Sequence, residues 1–398
     1  HRVLKYLDPF TTDSIADEVW GQPDFISGTP NNGGVSNQSL RFYDSHVVAA
    51  VAIAPNGDLW VADSGNSRVL RFPRNSGTGQ ISHLADLVLG QPDFTSGYSG
   101  TGTDQFEHPS SIQIASDGTV YVADVHHSDG YASRVLIFAP PLSTGMSGTV
   151  FAPSLQFEYT SYIHLDPLGR GLWMQNIVGW SSLTRLFRLS DAAVLRSLST
   201  AQSRGFGVDA SGNIYTHALW DGIYRYVSPY TDANKTYLFD ERFHLSGQDF
   251  FQVKGITTWG DQLIIGDGER LLIWNDYSSV TSYQHPDDLW GQDNYTEFDR
   301  TDHGFIGYPT VDGKNRLWVF AREVSGYSGM LFRAFSYPLS HSSTPVKTVG
   351  QTFQAVDFSG SITLGYPPEW LNFCPDNNGD QMWIADRNNC RVIRVNNI

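Results

Sequence analysis

The chain has 398 residues with a formal net charge of −15, and only 17% of its residues are charged. An acidic balance without a cluster of Lys and Arg excludes a nucleic-acid partner and a polybasic membrane anchor, because phosphate binding requires clustered positive charge. No apolar run reaches the roughly 18 residues that a membrane-spanning helix needs. Glycine (38), proline (19) and a 13% aromatic content describe many short strands and turns rather than helices.

In chain order, the first segment is HRVLKYL, written like a strand, followed by VWGQPDF from Val19 to Phe25. Nearly the same heptapeptide, VLGQPDF, returns from Val88 to Phe94. Between them lies VAIAPNGDLWVADSGNSRVLRF, Val51 to Phe72, which parses into three short β runs separated by Asn-Gly and Ser-Gly turns. The phrase recurs at SIQIASDGTVYVAD with SRVLIF, and at LNFCPDNNGDQMWIADRNNCRVIRV near the C-terminus, with four weaker copies between. The predicted middle strands centre on Trp60, Tyr121, Trp173, Tyr215, Ile264, Trp318 and Trp383. Between one copy and the next comes a fourth apolar piece, where the GQ heptapeptide belongs, and the C-terminal copy has none of its own. Four-strand units at this period predict an all-β fold, a seven-bladed β-propeller of four-stranded blades, with six blades as the main alternative. The chain reads as a single domain over 1–398, in which residues 18–25 complete the C-terminal blade by pairing with Arg391–Val395 and close the ring.

The phrases VAIAPNGDLWVADSGNSRVLRF, VYVAD with RVLIF, and MWIADRNNCRVIRV resemble NHL repeats, whose core reads VADxGNxRV. That resemblance implies a propeller of six or seven blades. It leaves function wide, since propellers of this kind serve as protein- and RNA-binding platforms, as extracellular proteins, and as metal-assisted lyases or lactonases.

Candidate residues follow from blade geometry. The Asp ending a second strand and the Arg opening the third (Asp63 with Arg68, Asp124 with Arg134, Asp386 with Arg391) recur between blades, which marks them as braces of the turn. Loops joining fourth to first strands and second to third strands open on one face, where ligands are expected. In the second blade these loops hold His108 and then His126 and His127, a set that would suit zinc if the imidazoles converged. DNNGD, Asp376 to Asp380, has the composition of a calcium loop but sits at a hairpin. Arg204, Lys254, Tyr308, Glu369 and Trp370 fall near the starts of first strands, and His217 and Trp220 in a turn of the fourth blade. All seven are candidate ligand-binding residues at the channel mouth.

Cys374 and Cys390 are the two cysteines, and one disulfide is expected between them. N-x-S/T triplets at Asn37, Asn234 and Asn294 occur about as often as chance gives, so they say nothing of secretion. The leading expectation is a secreted or cell-surface binding propeller for a protein, peptide or glycan, with no nucleic acid and no membrane insertion. The alternative is a metal-dependent lyase or lactonase at the channel mouth.

Overall fold

The computed structural model describes residues 2–6, 18–24, 27–42, 50–125, 133–152, 159–166, 168–178, 181–201, 206–208, 211–218, 222–228, 230, 234–239, 255–266, 270–282, 284–293, 306–312, 314–322, 330–349, 372–375, 381–386 and 391–396. Two strands open the chain, β1 (Arg2–Tyr6) and β2 (Glu18–Trp20). Blade one is β3 (Val51–Ile53), β4 (Leu59–Asp63), β5 (Arg68–Phe72) and β6 (Leu87–Leu89). Blade two is β7 (His108–Ile114), β8 (Val120–Val125), β9 (Ser133–Phe138) and β10 (Thr149–Phe151). Blade three is β11 (Tyr159–Leu165), β12 (Leu172–Val178), β13 (Ser181–Phe187) and β14 (Val194–Ala201). Blade four is β15 (Phe206–Val208), β16 (Ile214–Ala218), β17 (Gly222–Tyr226) and β18 (Lys235–Phe239). Blade five is β19 (Ile256–Trp259), β20 (Gln262–Gly266), β21 (Leu271–Trp274) and β22 (Asp288–Trp290). Blade six is β23 (Ile306–Val311), β24 (Arg316–Arg322), β25 (Met330–Ser336) and β26 (Lys347–Val349). Blade seven contributes β27 (Asn372–Pro375), β28 (Gln381–Asp386) and β29 (Arg391–Asn396).

Among the described residues these strands form seven sheets, each with its strands in sequence order apart from the seam. Successive sheets touch through their first strands, except that blades three and four meet through β14 and β16, and β27 and β28 of the seventh lie against β3 of the first, so the ring returns on itself. The fold is a β-propeller, with first strands innermost.

Packing between blades explains the sequence pattern. All five residues of β4, LWVAD, are buried. The two-residue period of a strand sends Leu59 and Val61 to the side of the seam, while Trp60 and Ala62 meet Phe106, Ile112, Val120 and Val122 of blade two and the connector before it. The next interface sets Tyr121, Ala123 and Val135 against Ile163, Leu172 and Met174. Covering both faces of a sheet removes the polar alternation that a half-exposed strand would show. Each fully buried aliphatic or aromatic side chain contributes about 1.5–3 kcal/mol.

The seam differs from the sequence prediction. Glu18–Trp20 joins the C-terminal sheet, but not beside β29. Strand β1 lies between them, parallel to β29 with Arg2 level with Arg391, and β2 pairs antiparallel with β1 through Val3 and Trp20. The closing sheet therefore has five strands, β27-β28-β29-β1-β2. The physical reason is that RVLKY is as good a third strand as RVIRV, and it occupies the edge that β2 would otherwise have taken. Every other ladder among the described residues is antiparallel.

Candidate functional site

At blade one, the connector before its first strand, the turn from second to third strand and the connector after its fourth strand meet around a short 3-10 helix, Ser64–Asn66. Asp63, just before it, is fully buried and accepts hydrogen bonds from Arg68 Nε (2.7 Å), Asn66 Nδ2 (2.7 Å) and the Arg41 backbone N–H (2.6 Å). Burial pushes the Asp63 carboxyl above its usual range, opposed by the adjacent Arg68 charge and these donors. Arg68, also fully buried, spends its other donors on the carbonyls of Ser36, Ser39 and Phe94. One ion pair thus holds the connector entering blade one and the connector leaving it. Arg134 repeats the arrangement, bonding Asp124 Oδ2 at 3.1 Å and the carbonyls of Thr101 and Gln105, while Asp124 Oδ1 takes the N–H groups of Glu107 and His108. The sequence reading of these pairs as braces holds in both blades, and β28–β29 sets Asp386 opposite Arg391 in the same register.

The GQ heptapeptide has a second role that the sequence did not disclose. Only its first residues are strand; the chain then turns at Gly90, whose φ is +84° and where a Cβ would meet Phe106 Cδ2 at 2.0 Å. No other residue fits there. Gln91, 1% exposed, then reaches across the connector: its Nε2 donates to the carbonyls of Ser67 (2.9 Å) and Tyr98 (2.8 Å), and its Oε1 accepts the Tyr98 N–H at 3.2 Å. Gln22 repeats the bond seven residues on, to the Thr29 carbonyl at 2.8 Å. The Tyr98 peptide group is gripped on both sides, yet its side chain is 73% exposed. Other large exposed apolar side chains among the described residues, such as Leu84, Val227 and Tyr337, lie on the opposite face, in or beside first-to-second and third-to-fourth turns.

Innermost strands reach the same face through β-bulges. Register shifts occur between Pro109 and Ser111 in β7, Thr160 and Tyr162 in β11, and Gly307 and Thr310 in β23, each toward the connector end. A bulge bends the strand locally, and here each lies at the connector end of an innermost strand. Tyr308 falls in the β23 bulge.

His108 was expected in a loop; it is instead the first residue of β7, opposite Val125, because Asp124 draws the preceding backbone into the ladder. Its Nε2 lies 3.9 Å from Glu107 Oε1. His126 and His127 lie outside the described residues, as do Arg204, Trp220, Lys254, Glu369, Trp370, Cys390 and residues 376–380. His217 was expected in a turn and is found in β16, paired with Ile223, since the hairpin tightens to Ala218 opposite Gly222. Among the described residues no three His, Cys, Asp or Glu side chains gather as metal ligands, and no helix is long and apolar enough to cross a membrane.

Two further groups were missed. His164 on innermost β11 is reached by solvent, yet the crowding around it lowers the pKa of its imidazole, its Nδ1 lying 2.6 Å from the Leu165 carbonyl. On the far face, Asp166 and Asp312 close first-to-second turns by accepting from Arg170 and Trp173, and from Arg316 and Trp318. Burial pushes the Asp166 carboxyl up, and the bonds from Arg170 and Trp173 outweigh it, leaving it below the usual range. The recurring spacings DPLGRGLW and DGKNRLW carry that signal in the sequence.

Seven contacting sheets with innermost first strands and the Asp–Arg brace define a β-propeller built from repeats. The NHL repeat family matches residues 49–72, so this β-propeller carries an NHL repeat in its first blade. The structure of the Dos1 propeller superposes with a TM-score of 0.51 at 14% identity, over 75% of this chain and 70% of that one. It shares the fold. A gluconolactonase from Xanthomonas campestris gives a TM-score of 0.35 at 16% identity, over 54% of this chain and 67% of that one. A putative 6-phosphogluconolactonase from Bacteroides fragilis NCTC 9343 gives 0.46 at 14% identity, over 87% and 89%. A search of curated proteins finds no match.

Proposed function

We propose that the chain is a binding propeller, one domain over 1–398, whose connector face recognises a protein, peptide or glycan in a secreted or cell-surface setting. The observation that supports this reading is Tyr98, a 73% exposed aromatic whose peptide group is fixed by a buried glutamine. An aromatic side chain carried on a backbone fixed before binding supplies contact area at a reduced ordering cost, and tyrosine is among the residues that dominate binding energy at interfaces. The backbone bulges in β7 and β23, the latter including Tyr308, fall at the connector end of innermost strands and are consistent with a recognition surface on that face.

The test is selection of a random peptide display library and a glycan array on the immobilised protein, followed by the Tyr98→Ala variant. Recovered binders should weaken by about tenfold or more, the loss that a hot-spot residue produces. Binders indifferent to Tyr98→Ala, or hydrolysis of a sugar lactone by the purified chain without any selected binder, would overturn the reading. Fractionation of the full-length protein in its source cells tests the location separately.

A further inference from the structure

The parallel ladder at the seam joins two strands that occupy the same place in the repeat. In blade one, the third and fourth strands pair Val69 with Leu89, Leu70 with Val88 and Arg71 with Leu87. Strands β1 and β2 reproduce that register residue for residue, Val3 with Trp20, Leu4 with Val19 and Lys5 with Glu18. They form the outer half of a blade. Strands β28 and β29 in turn copy the second and third strands of blade one: Asp386 faces Arg391 as Asp63 faces Arg68, and Trp383 faces Arg394 as Trp60 faces Arg71. Strand β29 is therefore also a third strand. The two lie side by side at equal height, Arg2 level with Arg391 and Lys5 with Arg394.

We propose that β1 and β29 are interchangeable third strands of blade seven, so that the seam has a five-stranded form and a four-stranded form in which β29 is released. Because β1 runs parallel to β29, it is already antiparallel to β28, and a sideways step of one strand spacing, about 4.8 Å, would set Arg2 opposite Asp386. The sheet would then read β27-β28-β1-β2, the order of every other blade. Like charges level with each other in neighbouring strands, as at Arg2 with Arg391 and Lys5 with Arg394, disfavour keeping both strands in the sheet.

Disulfide trapping tests this in the full chain with Cys374→Ser and Cys390→Ser. In the five-stranded form the Cα atoms of residues 3 and 385 are separated by two strand spacings, roughly 9–10 Å, beyond the bonding limit of about 7 Å. In the four-stranded form they become direct partners at about 4.5–5.5 Å. Val3→Cys with Ala385→Cys reports the four-stranded form, and Val392→Cys with Ala385→Cys the five-stranded one. Both pairs should crosslink within single chains, and removing residues 391–398 should raise the yield of the first pair while preserving a cooperative melt. Absence of the 3–385 crosslink in the full chain overturns the proposal, whatever the truncated chain does. So does a truncated chain that folds without forming it.

Discussion

The indole of Trp20 stacks on the imidazole of His83, with ring centroids 4.3 Å apart and planes 16° from parallel. Trp20 belongs to the closing sheet and His83 to blade one. The indole is 1% exposed, donates to the Ser82 carbonyl at 2.7 Å, and sits in a cluster with Leu40, Phe42, Leu70 and Phe72. The seam is thereby latched by a side chain as well as by a ladder. Trp20→Ala should cost about 3–5 kcal/mol, the range for emptying a buried aromatic site, read as a lower urea midpoint. A change below about 1 kcal/mol would mean that the latch carries no weight.

The Asp63–Arg68 pair has no exposure on either side chain, whereas Arg71 and Asp86 pair bidentately at the surface. Removing one partner of a buried pair strands a charge, so Asp63→Ala should destabilise by about 3–5 kcal/mol. Asp86→Ala should cost no more than about 1 kcal/mol. Denaturant unfolding of both variants checks the contrast, and equal losses would contradict the burial argument.

Acid sensitivity follows from His164. Crowding around the solvent-reached ring lowers its pKa below the ordinary 6.5, so between that folded value and 6.5 the unfolded chain binds the proton that the folded chain refuses. Its contribution to stability is therefore full above 6.5 and is lost as pH falls from 6.5 through the folded value. His164→Gln should flatten the fall in melting temperature across that window; an unchanged pH profile would show that another group is responsible.

The blade-seven ladder bears on the cysteines, of which Cys390 lies outside the described residues. Cys374 faces Trp383, which faces Arg394, while Arg391, the neighbour of Cys390, is three positions further along β29. Two strand spacings and three residues of rise separate Cys374 from Arg391 by about 14 Å, against a limit of about 7 Å between bonded Cα atoms. The disulfide expected from sequence spacing conflicts with this register. Thiol titration of the denatured, unreduced protein should find two free thiols, and a count of zero would show that the register of blade seven is wrong.

The architecture was readable because turns and apolar runs repeat, and because Asp63–Arg68 and Asp124–Arg134 recur at matching points of their blades. What escaped was contact between distant segments. Nothing in GQPDF says that Gln91 will grip the backbone at Tyr98, since the grip depends on a connector folded back by seven residues. His217 reads as a turn residue because THALWDG ends in the hairpin pair Asp-Gly, but the strand ladder extends to Ala218 and absorbs it. At the seam, strand-forming character was visible in RVLKY, yet the choice between two equivalent third strands is made by competition for one edge, which no local pattern encodes.

The Gln91 grip touches the peptide group of residue 98 and leaves its side chain uncommitted. Thr29 stands at the corresponding point in the connector held by Gln22. Each such connector is a socket: the holder is written into the fold, and the residue held can be exchanged without disturbing it. A repeat array with this construction can alter what it displays, blade by blade, by single substitutions that leave the scaffold untouched.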